Sequence, residues 1–227
     1  MATGQPKRGL MVAAQGGPVG VRGHRVRDVA KAEERRREIL LGAARAFAHG
    51  GYDATNMDQI AQACGLAKGH IYHCFRSKEE IFTEIRVDAV SRAIDALVAV
   101  APLVDNDPEL ALRKAVAAVI ARICDEEQRY EPLLADPISL SPENQKRIRT
   151  LGRRYERMFT DIIRSGIKKK IFVAGDPKLM TFVILRAAFT VANWYREGGK
   201  WKPQWIVEQV TEQLVRSVLC TPTGELD

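Results

Sequence analysis

Apolar residues recur with helical spacing along most of this chain, and no stretch alternates apolar and polar residues as a strand would. The first helical pattern covers residues 28–49, and Gly50 with Gly51 is expected to end it, because glycine tolerates the backbone conformation that closes a helix. Its apolar positions are Ile39, Leu40, Ala43, Ala44 and Phe47. The pattern predicts an amphipathic helix near the start of the chain.

Beyond residue 78 the same periodicity predicts a bundle of longer helices. Their expected ranges are 78–100, 108–127, 142–168, 177–196 and 203–219. Three of them begin with a capping side chain followed by proline, whose missing N–H is harmless at the first helical position: Asp107-Pro108, Ser141-Pro142 and Asp176-Pro177. The stretch 130–140 is interrupted by Pro132 and Pro137. Together these patterns predict an all-α fold.

The stretch 53–82 predicts two short helices, a tight turn and the start of a long helix. Thr55 is the expected N-cap of the first short helix, with Asp58 at capping-box spacing. Gly65 is expected to end that helix, and the second covers residues 68–75. Two helices joined by a short turn containing glycine form the DNA-reading helix-turn-helix, whose second helix lies in the major groove.

The second short helix is expected to turn its polar side chains outward, because Ile71 and Phe75 share the inward face. We expect contacts to base edges from Lys68, His70 and His73, and contacts to phosphates from Thr55, Tyr72 and Lys78. Ser77 and Glu80 form a capping box that starts the long helix, which would connect this head rigidly to the rest of the chain.

The charge of the chain is unevenly distributed. The net charge is +7, and residues 1–78 hold 13 Lys and Arg against 6 Asp and Glu, which leaves 22 of each sign in residues 79–227. The whole excess therefore accompanies the helix-turn-helix, as expected for a domain that neutralises phosphates.

The chain is expected to contain four parts. Residues 1–26 hold six Gly, two Pro and four Lys or Arg, a composition typical of a disordered basic arm. This arm is either an unstructured extension or a segment that enters the minor groove of DNA. Residues 27–77 are the expected DNA-binding domain, residues 78–220 a ligand-binding and dimerisation domain, and residues 221–227 a tail.

The motif of the head resembles the helix-turn-helix signature of the TetR family of bacterial repressors. The matching residues are Phe47, Gly51, Tyr52, Thr55, Ile60, Ala61, Gly65, Gly69, Tyr72, Phe75, Lys78 and Glu79. Two positions depart, since Ala67 stands where the family more often has Ser, and Cys74 where it often has an aromatic residue or His. The resemblance implies a dimeric regulator of a palindromic DNA operator, and it adds Gly69 to the DNA-binding set.

The predicted helix 142–168 carries a cationic stripe opposite its apolar face. The stripe comprises Lys146, Arg149, Arg153, Arg157, Arg164 and Lys168. It is either a solvated surface or a landing site for a polyanionic ligand such as a nucleotide phosphate, and Arg153, Arg157 and Arg164 are the best candidates for the second role.

The predicted helix 177–196 is apolar nearly all round, with Arg186 its only charge between residues 179 and 195, so it requires cover on every side. Together with the last helix it is expected to form half of an intersubunit four-helix bundle. The expected interface residues are Phe182, Leu185, Phe189, Ile206 and Leu214.

A second resemblance concerns the sequence Trp194-Tyr195-Arg196-Glu197-Gly198-Gly199. It is similar to a W-Y-R-x-x-G ending of TetR regulators of fatty-acid, steroid and aromatic-acid degradation, whose effectors are acyl-CoA thioesters. An Asn-Trp pair usually precedes it, where this chain has Phe189-Thr190. The resemblance implies a repressor released by an acyl-CoA, with no cofactor. Trp194 and Arg196 join the candidate ligand residues, and the acyl chain would enter the apolar interior between the helices 78–100 and 177–196.

Three alternatives remain from the sequence. A TetR-type regulator of an efflux pump would sense a hydrophobic compound, and a non-specific architectural DNA-binding protein would need only the basic head. A zinc enzyme could use Cys64, His70, His73 and Cys74, although a metal there would occupy the DNA-facing surface. Single cysteines and the lack of a long apolar run favour a reduced, cytoplasmic protein without a membrane partner.

Overall fold

A computed structural model describes residues 20–125 and 140–220, with side chains described from residue 30 onward. Its helices are α1 (Gly20–Gly50), α2 (Met57–Ala63), α3 (Lys68–Cys74), α4 (Lys78–Val100), α5 (Pro108–Ile123), α6 (Pro142–Lys168), α7 (Pro177–Phe189), α8 (Val191–Trp194) and α9 (Pro203–Arg216). Apart from these and a 3-10 turn after α4, the described backbone holds one isolated antiparallel bridge, between Phe172 and Leu219. The prediction of an all-α fold is confirmed.

By internal contacts the chain divides into residues 1–37 and 38–227. The first unit contributes the described helical residues 20–37, and every side-chain contact and site described below lies within the second. No helix in the described part of the chain is both long enough and apolar enough to cross a membrane.

Two predicted boundaries are wrong. Helix α1 begins at Gly20, so residues 20–26 of the predicted arm are helical. The predicted helix 177–196 is divided into α7 and α8 at Thr190, whose hydroxyl donates to the carbonyl of Ala187 at 2.7 Å. Residues 1–19, the proline-interrupted stretch as far as residue 139 and the tail 221–227 lie outside the described residues.

The N-cap of α2 is Asn56 and not Thr55. The Asn56 side chain accepts from the N–H of Gln59 at 2.9 Å, and the Gln59 side chain accepts from the N–H of Asn56 at 2.8 Å. This reciprocal pair is a capping box one residue later than predicted. Thr55 faces inward, where its hydroxyl donates to the carbonyl of Gly51 at 2.7 Å.

Two apolar cores organise the second unit. The head core lies between α1, α2, α3 and the start of α4, and it includes Leu140, just before α6, and Ile148 within α6. The bundle core lies between the end of α4 and helices α5, α6, α7 and α9. Helix α6 contributes to both, since Ile148 packs in the head core and Phe159 in the bundle core. One rigid element therefore joins the two cores.

Close packing at the end of α6 requires a glycine. A Cβ at Gly166 would lie 2.0 Å from the ring of the buried Phe172, whereas a Cβ at Gly152, in the same helix, would meet nothing within 4 Å. We expect Gly166→Ala to lower the free energy of unfolding by about 1–3 kcal/mol through overpacking. Gly152→Ala should raise it by roughly 0.5–1 kcal/mol, because alanine is the better helix former.

Urea denaturation of the two variants and the wild type measures this difference. Equal stability of the two variants would contradict the packing of Phe172 against α6.

Candidate nucleic-acid interface and adjoining cleft

The turn between α2 and α3 is closed by Gly65, as predicted. Its φ is +64°, a conformation that favours glycine. The N–H of Leu66 donates to the carbonyl of Ala61 at 2.9 Å, and the N–H of Gly65 to that of Gln62 at 3.1 Å. These two bonds form a Schellman motif, which fixes the direction in which the chain leaves α2.

Helix α3 turns its predicted reading face to solvent. Ile71 and Phe75 are buried in the head core. The exposed residues are Lys68, Gly69, His70, Tyr72 and His73. The exposure of these side chains agrees with the sequence-based expectation, and their contact with DNA stays a prediction.

Lys68, the first residue of α3, is paired with an acid on α2. Its ammonium lies 2.9 Å from both carboxylate oxygens of Asp58. This hydrogen bond raises the pKa of Lys68, so the ammonium stays charged. The Tyr72 ring lies on the same surface, with its centroid 6.0 Å from the ammonium.

The structure contradicts two of the predicted phosphate contacts, those of the Thr55 and Lys78 side chains. Thr55 is only 3% exposed, and its hydroxyl is used within the head. The ammonium of Lys78 donates to the carbonyls of Tyr52, Asp53 and Thr55 at 2.9, 3.2 and 3.0 Å, so all three of its N–H groups have acceptors. Lys78 also lies 4.5 Å from the ring centroid of Tyr52. Both residues therefore hold the loop before α2.

The start of α6 is attached to the start of α4. One carboxylate oxygen of Glu79 accepts from the backbone N–H of Ser141 at 2.9 Å and from the side-chain amide of Asn144 at 2.7 Å. Hydrogen bonding to the Ser141 side chain, and then to Asn144 and to the backbone of Ser141, lowers the pKa of Glu79. Nearly one turn further along α6, Arg147 pairs with Glu84 of α4 at 3.1 Å. We call these contacts the α4–α6 junction.

A cleft of about 710 Å³ lies between α4, α6 and α7, next to this junction. Its apolar lining is Val90, Ile148, Phe182, Leu185 and Phe189. Its charged lining is Arg86, Arg149, Arg153, Arg186 and Glu156. Among the described lining residues, guanidinium groups thus outnumber carboxylates by four to one, and the cleft suits an anion attached to an apolar group.

Of the predicted ligand residues, only Arg153 lines this cleft. Arg157 is exposed elsewhere on α6, and Arg164 pairs with Asp161. Trp194 instead meets the edge of Trp201 in a surface cluster, and Arg196 bonds to neighbouring carbonyls.

Sequence reasoning placed Arg149 in the cationic stripe without choosing it as a ligand residue, and it did not assign Arg86 or Arg186 to the ligand site. For Arg186 the available signal was its place as the single charge in an otherwise apolar helix. The positions on α4 and α6 could not be separated from other cationic surface positions without the packing angles of the helices.

The predicted dimer interface requires correction. Leu185 and Ile206 are buried in the bundle core, and Phe189 and Leu214 are partly buried against it. The exposed apolar face of α7 comprises Leu179, Phe182 and Val183, of which Phe182 was predicted. The 3.6-residue period identified an apolar helix correctly but could not divide it between the interior and the surface.

The zinc alternative rested on Cys64, Cys74 and two histidines of α3. Burial raises the pKa of the Cys64 thiol, which donates to the carbonyl of Ile39 at 3.7 Å. Over residues 30–125 and 140–220, no three His, Cys, Asp or Glu side chains gather as metal ligands would.

Comparisons with known proteins match both parts of the second unit. Residues 39–85 match the family described as "Bacterial regulatory proteins, tetR family", and residues 105–218 match "Tetracyclin repressor-like, C-terminal domain". The HTH-type transcriptional repressor KstR2 of Rhodococcus jostii (strain RHA1) is 26% identical over 197 residues, which cover 82% of this chain and 89% of KstR2.

Two solved structures extend the comparison. The TetR family regulator PfmR from Thermus thermophilus is 32% identical, with a TM-score of 0.65 over 82% of this chain and 96% of PfmR. AibR, solved in complex with isovaleryl coenzyme A and operator DNA, shares the fold at 21% identity, with a TM-score of 0.68 over 82% of this chain and 98% of AibR.

The lowered pKa of Glu79 makes the α4–α6 junction dependent on pH. Folding stabilises the ionised form of Glu79. The contribution of Glu79 to the free energy of unfolding is therefore complete above the ordinary pKa of 4.5, and it is lost as the pH falls through the lower pKa of the folded state. Glu79→Gln should therefore be less stable than the wild type at neutral pH, and the difference should shrink on acidification.

Denaturant unfolding at neutral pH and at about pH 3 measures the effect. Glu143→Gln, an exposed change in the first turn of α6, controls for the loss of one charge and should cost less stability at neutral pH. Equal stability of Glu79→Gln and wild type at neutral pH would contradict the junction.

Proposed function

This chain belongs to the TetR family of transcriptional regulators, and we propose that it is a dimeric repressor whose hold on operator DNA is weakened by an acyl-CoA thioester. Members of this family are DNA-binding regulators and not enzymes. The cationic and apolar cleft between α4, α6 and α7 carries the effector part of the proposal.

Helix α3 is the proposed reading element. Lys68, His70 and His73 would meet base edges, Tyr72 a phosphate, and Gly69 would let the backbone of α3 approach the duplex. Each head reads one half-site, so a two-fold dimer requires a palindrome whose half-sites lie about one helical turn, or a multiple of it, apart.

The composition of the cleft favours an amphipathic anion as effector. Val90, Leu185 and Phe189 offer an apolar surface to an acyl chain, whereas Arg149 and Arg153 offer the planar donors that bind phosphate oxygens in pairs. Both arginines are exposed, and neither forms an ion pair with a described residue. A CoA thioester carries both chemistries in one molecule.

A relative with this fold supports the choice of ligand, since AibR was solved in complex with isovaleryl coenzyme A and operator DNA. An efflux regulator that senses an uncharged hydrophobic compound gains nothing from arginines around its pocket. An architectural protein needs no cleft, and its basic head would not require the neutral bundle of residues 79–227.

The route from effector to DNA is short. Ile148 lines the cleft and also packs in the head core, and Arg149 follows it in the cleft wall. A ligand that moves this turn of α6 must therefore disturb the head core or the α4–α6 junction. A difference of roughly 1–3 kcal/mol between the two states would weaken operator binding about 5- to 150-fold.

The proposed dimer uses the exposed apolar face of α7. Leu179, Phe182 and Val183 are contiguous on one helical face, which soluble monomers seldom expose to water. Since Phe182 and Arg186 also line the cleft, a partner subunit on this face would border the effector site.

The effector proposal is tested by charge reversal in the cleft. Arg149→Glu with Arg153→Glu should weaken thioester binding at least about tenfold, because charged hydrogen bonds contribute about 1.5–3 kcal/mol each. Arg154→Glu with Arg157→Glu makes the same charge change on exposed positions of α6 outside the lining, and should keep wild-type affinity.

Calorimetry with short-, medium- and long-chain acyl-CoAs, free CoA and the free acids provides the measurement. If the two double variants bind thioesters equally, or if a free acid binds as tightly as its thioester, the arginines do not hold the CoA phosphates.

The dimer proposal is tested with two matched valines. Val183→Glu, at a residue 61% exposed on α7, should give monomers and weaken operator binding, because it places a charge in the proposed interface. Val98→Glu, at a residue 50% exposed on α4, should leave both properties unchanged. Sedimentation at micromolar concentration measures the assembly, and a monomeric wild type would contradict the proposal.

A further inference from the structure

Asp58 lies on the exposed side of α2, where its carboxylate holds the ammonium of Lys68. We propose that Asp58 determines sequence specificity, by keeping Lys68 away from phosphates and directing it to a base edge. This inference rests on the proposed DNA-binding function, and it adds a positioning residue that the helix-turn-helix signature does not contain.

The geometry fixes the ammonium closely. Its nitrogen lies 2.9 Å from each carboxylate oxygen, which anchors it to the first turn of α2. The Tyr72 ring lies at 6.0 Å and limits its position from within α3. An ammonium has three donors, so at least one remains for an acceptor on DNA after two are given to the carboxylate.

The pair is too exposed to serve folding. The side chains of Lys68 and Asp58 are 51% and 65% exposed, and ion pairs at such positions contribute little to stability. A carboxylate on a surface that meets DNA repels phosphates, so Asp58 lowers the affinity for every duplex. Such a residue improves specificity when it lowers the affinity for non-cognate DNA sequences more than it lowers the affinity for the cognate sequence.

Lys68 held by Asp58 and Lys68 free of Asp58 should differ in how strongly they discriminate between DNA sequences. A free lysine is a flexible point charge that neutralises any phosphate within reach, which favours all sequences equally. A lysine held by Asp58 reaches a smaller volume, and it binds well only where a base presents an acceptor at that place. Asp58 thus lowers the affinity for DNA in general and increases the discrimination between sequences.

The salt dependence of binding separates these states, because log affinity falls with log salt more steeply by about 0.9 for each neutralised phosphate. The probes are the duplex that wild-type protein enriches from a randomised library and a shuffled duplex of the same composition. The proteins are wild type, Asp58→Asn, Asp58→Glu, Lys68→Ala and the double variant Asp58→Asn with Lys68→Ala.

Asp58→Asn should bind the shuffled duplex more tightly, with a slope steeper by about 0.9 for each bound head. Its preference for the enriched duplex should fall roughly tenfold. Lys68→Ala should leave the slope on the shuffled duplex unchanged when Asp58 is present. In the Asp58→Asn background, Lys68→Ala should return the slope to the wild-type value. That result would exclude mere loss of repulsion between Asp58 and the phosphates as the cause of the steeper slope.

Two control proteins complete the test. Asp58→Glu keeps the carboxylate and should retain the wild-type slope and preference. Asp105→Asn removes an exposed charge from the loop before α5, and should also behave as wild type.

If Asp58→Asn matches Asp105→Asn in slope and preference, or if Lys68→Ala lowers the slope equally in both backgrounds, the inference is wrong while the proposed function stands. If the wild-type protein binds no duplex, the proposed function and this inference both fail.

Discussion

The attachment of α6 to α4 is the contact on which the rest of the protein depends. One oxygen of Glu79 accepts two hydrogen bonds from the start of α6, and Ile148 continues from there into the head core. The adjoining turns of α6 supply Arg149 and Arg153 to the cleft. Because packed helices are rigid, the cleft cannot change width at this end of α6 without changing the support of the head.

The head combines two lysines with different roles. Lys78 gives its three donors to backbone carbonyls and holds the loop in front of α2, so its charge serves the structure of the head. Lys68 is exposed and held by a single carboxylate, so its charge is presented at the proposed reading surface. The net positive charge of residues 1–78 attracts any duplex, and discrimination requires the more local restraint.

Short sequence signals predicted most helix boundaries, whereas the residues of the cleft are brought together by the packing of different helices. Proline after a capping residue located the starts of α5, α6 and α7, and Gly65 located the turn between α2 and α3, since each acts within one turn of backbone. Thr55 and Asn56 are both good caps, and only the inward bond of Thr55 distinguishes them. Arg153 was predicted, but Arg86 and Arg186 come from other helices, and sequence spacing on α6 carries no information about them. The division of α7 between core and surface was missed for the same reason.

We propose that the effector and the operator bind to different states of one coupled structure. Linkage requires each to weaken the other by the same factor. Calorimetry should therefore give equal ratios for two measurements: the operator dissociation constant with and without saturating acyl-CoA, and the acyl-CoA dissociation constant with and without saturating operator. We expect a common ratio of roughly 5–150. A ratio of one in both measurements, with both ligands bound at once, would contradict it.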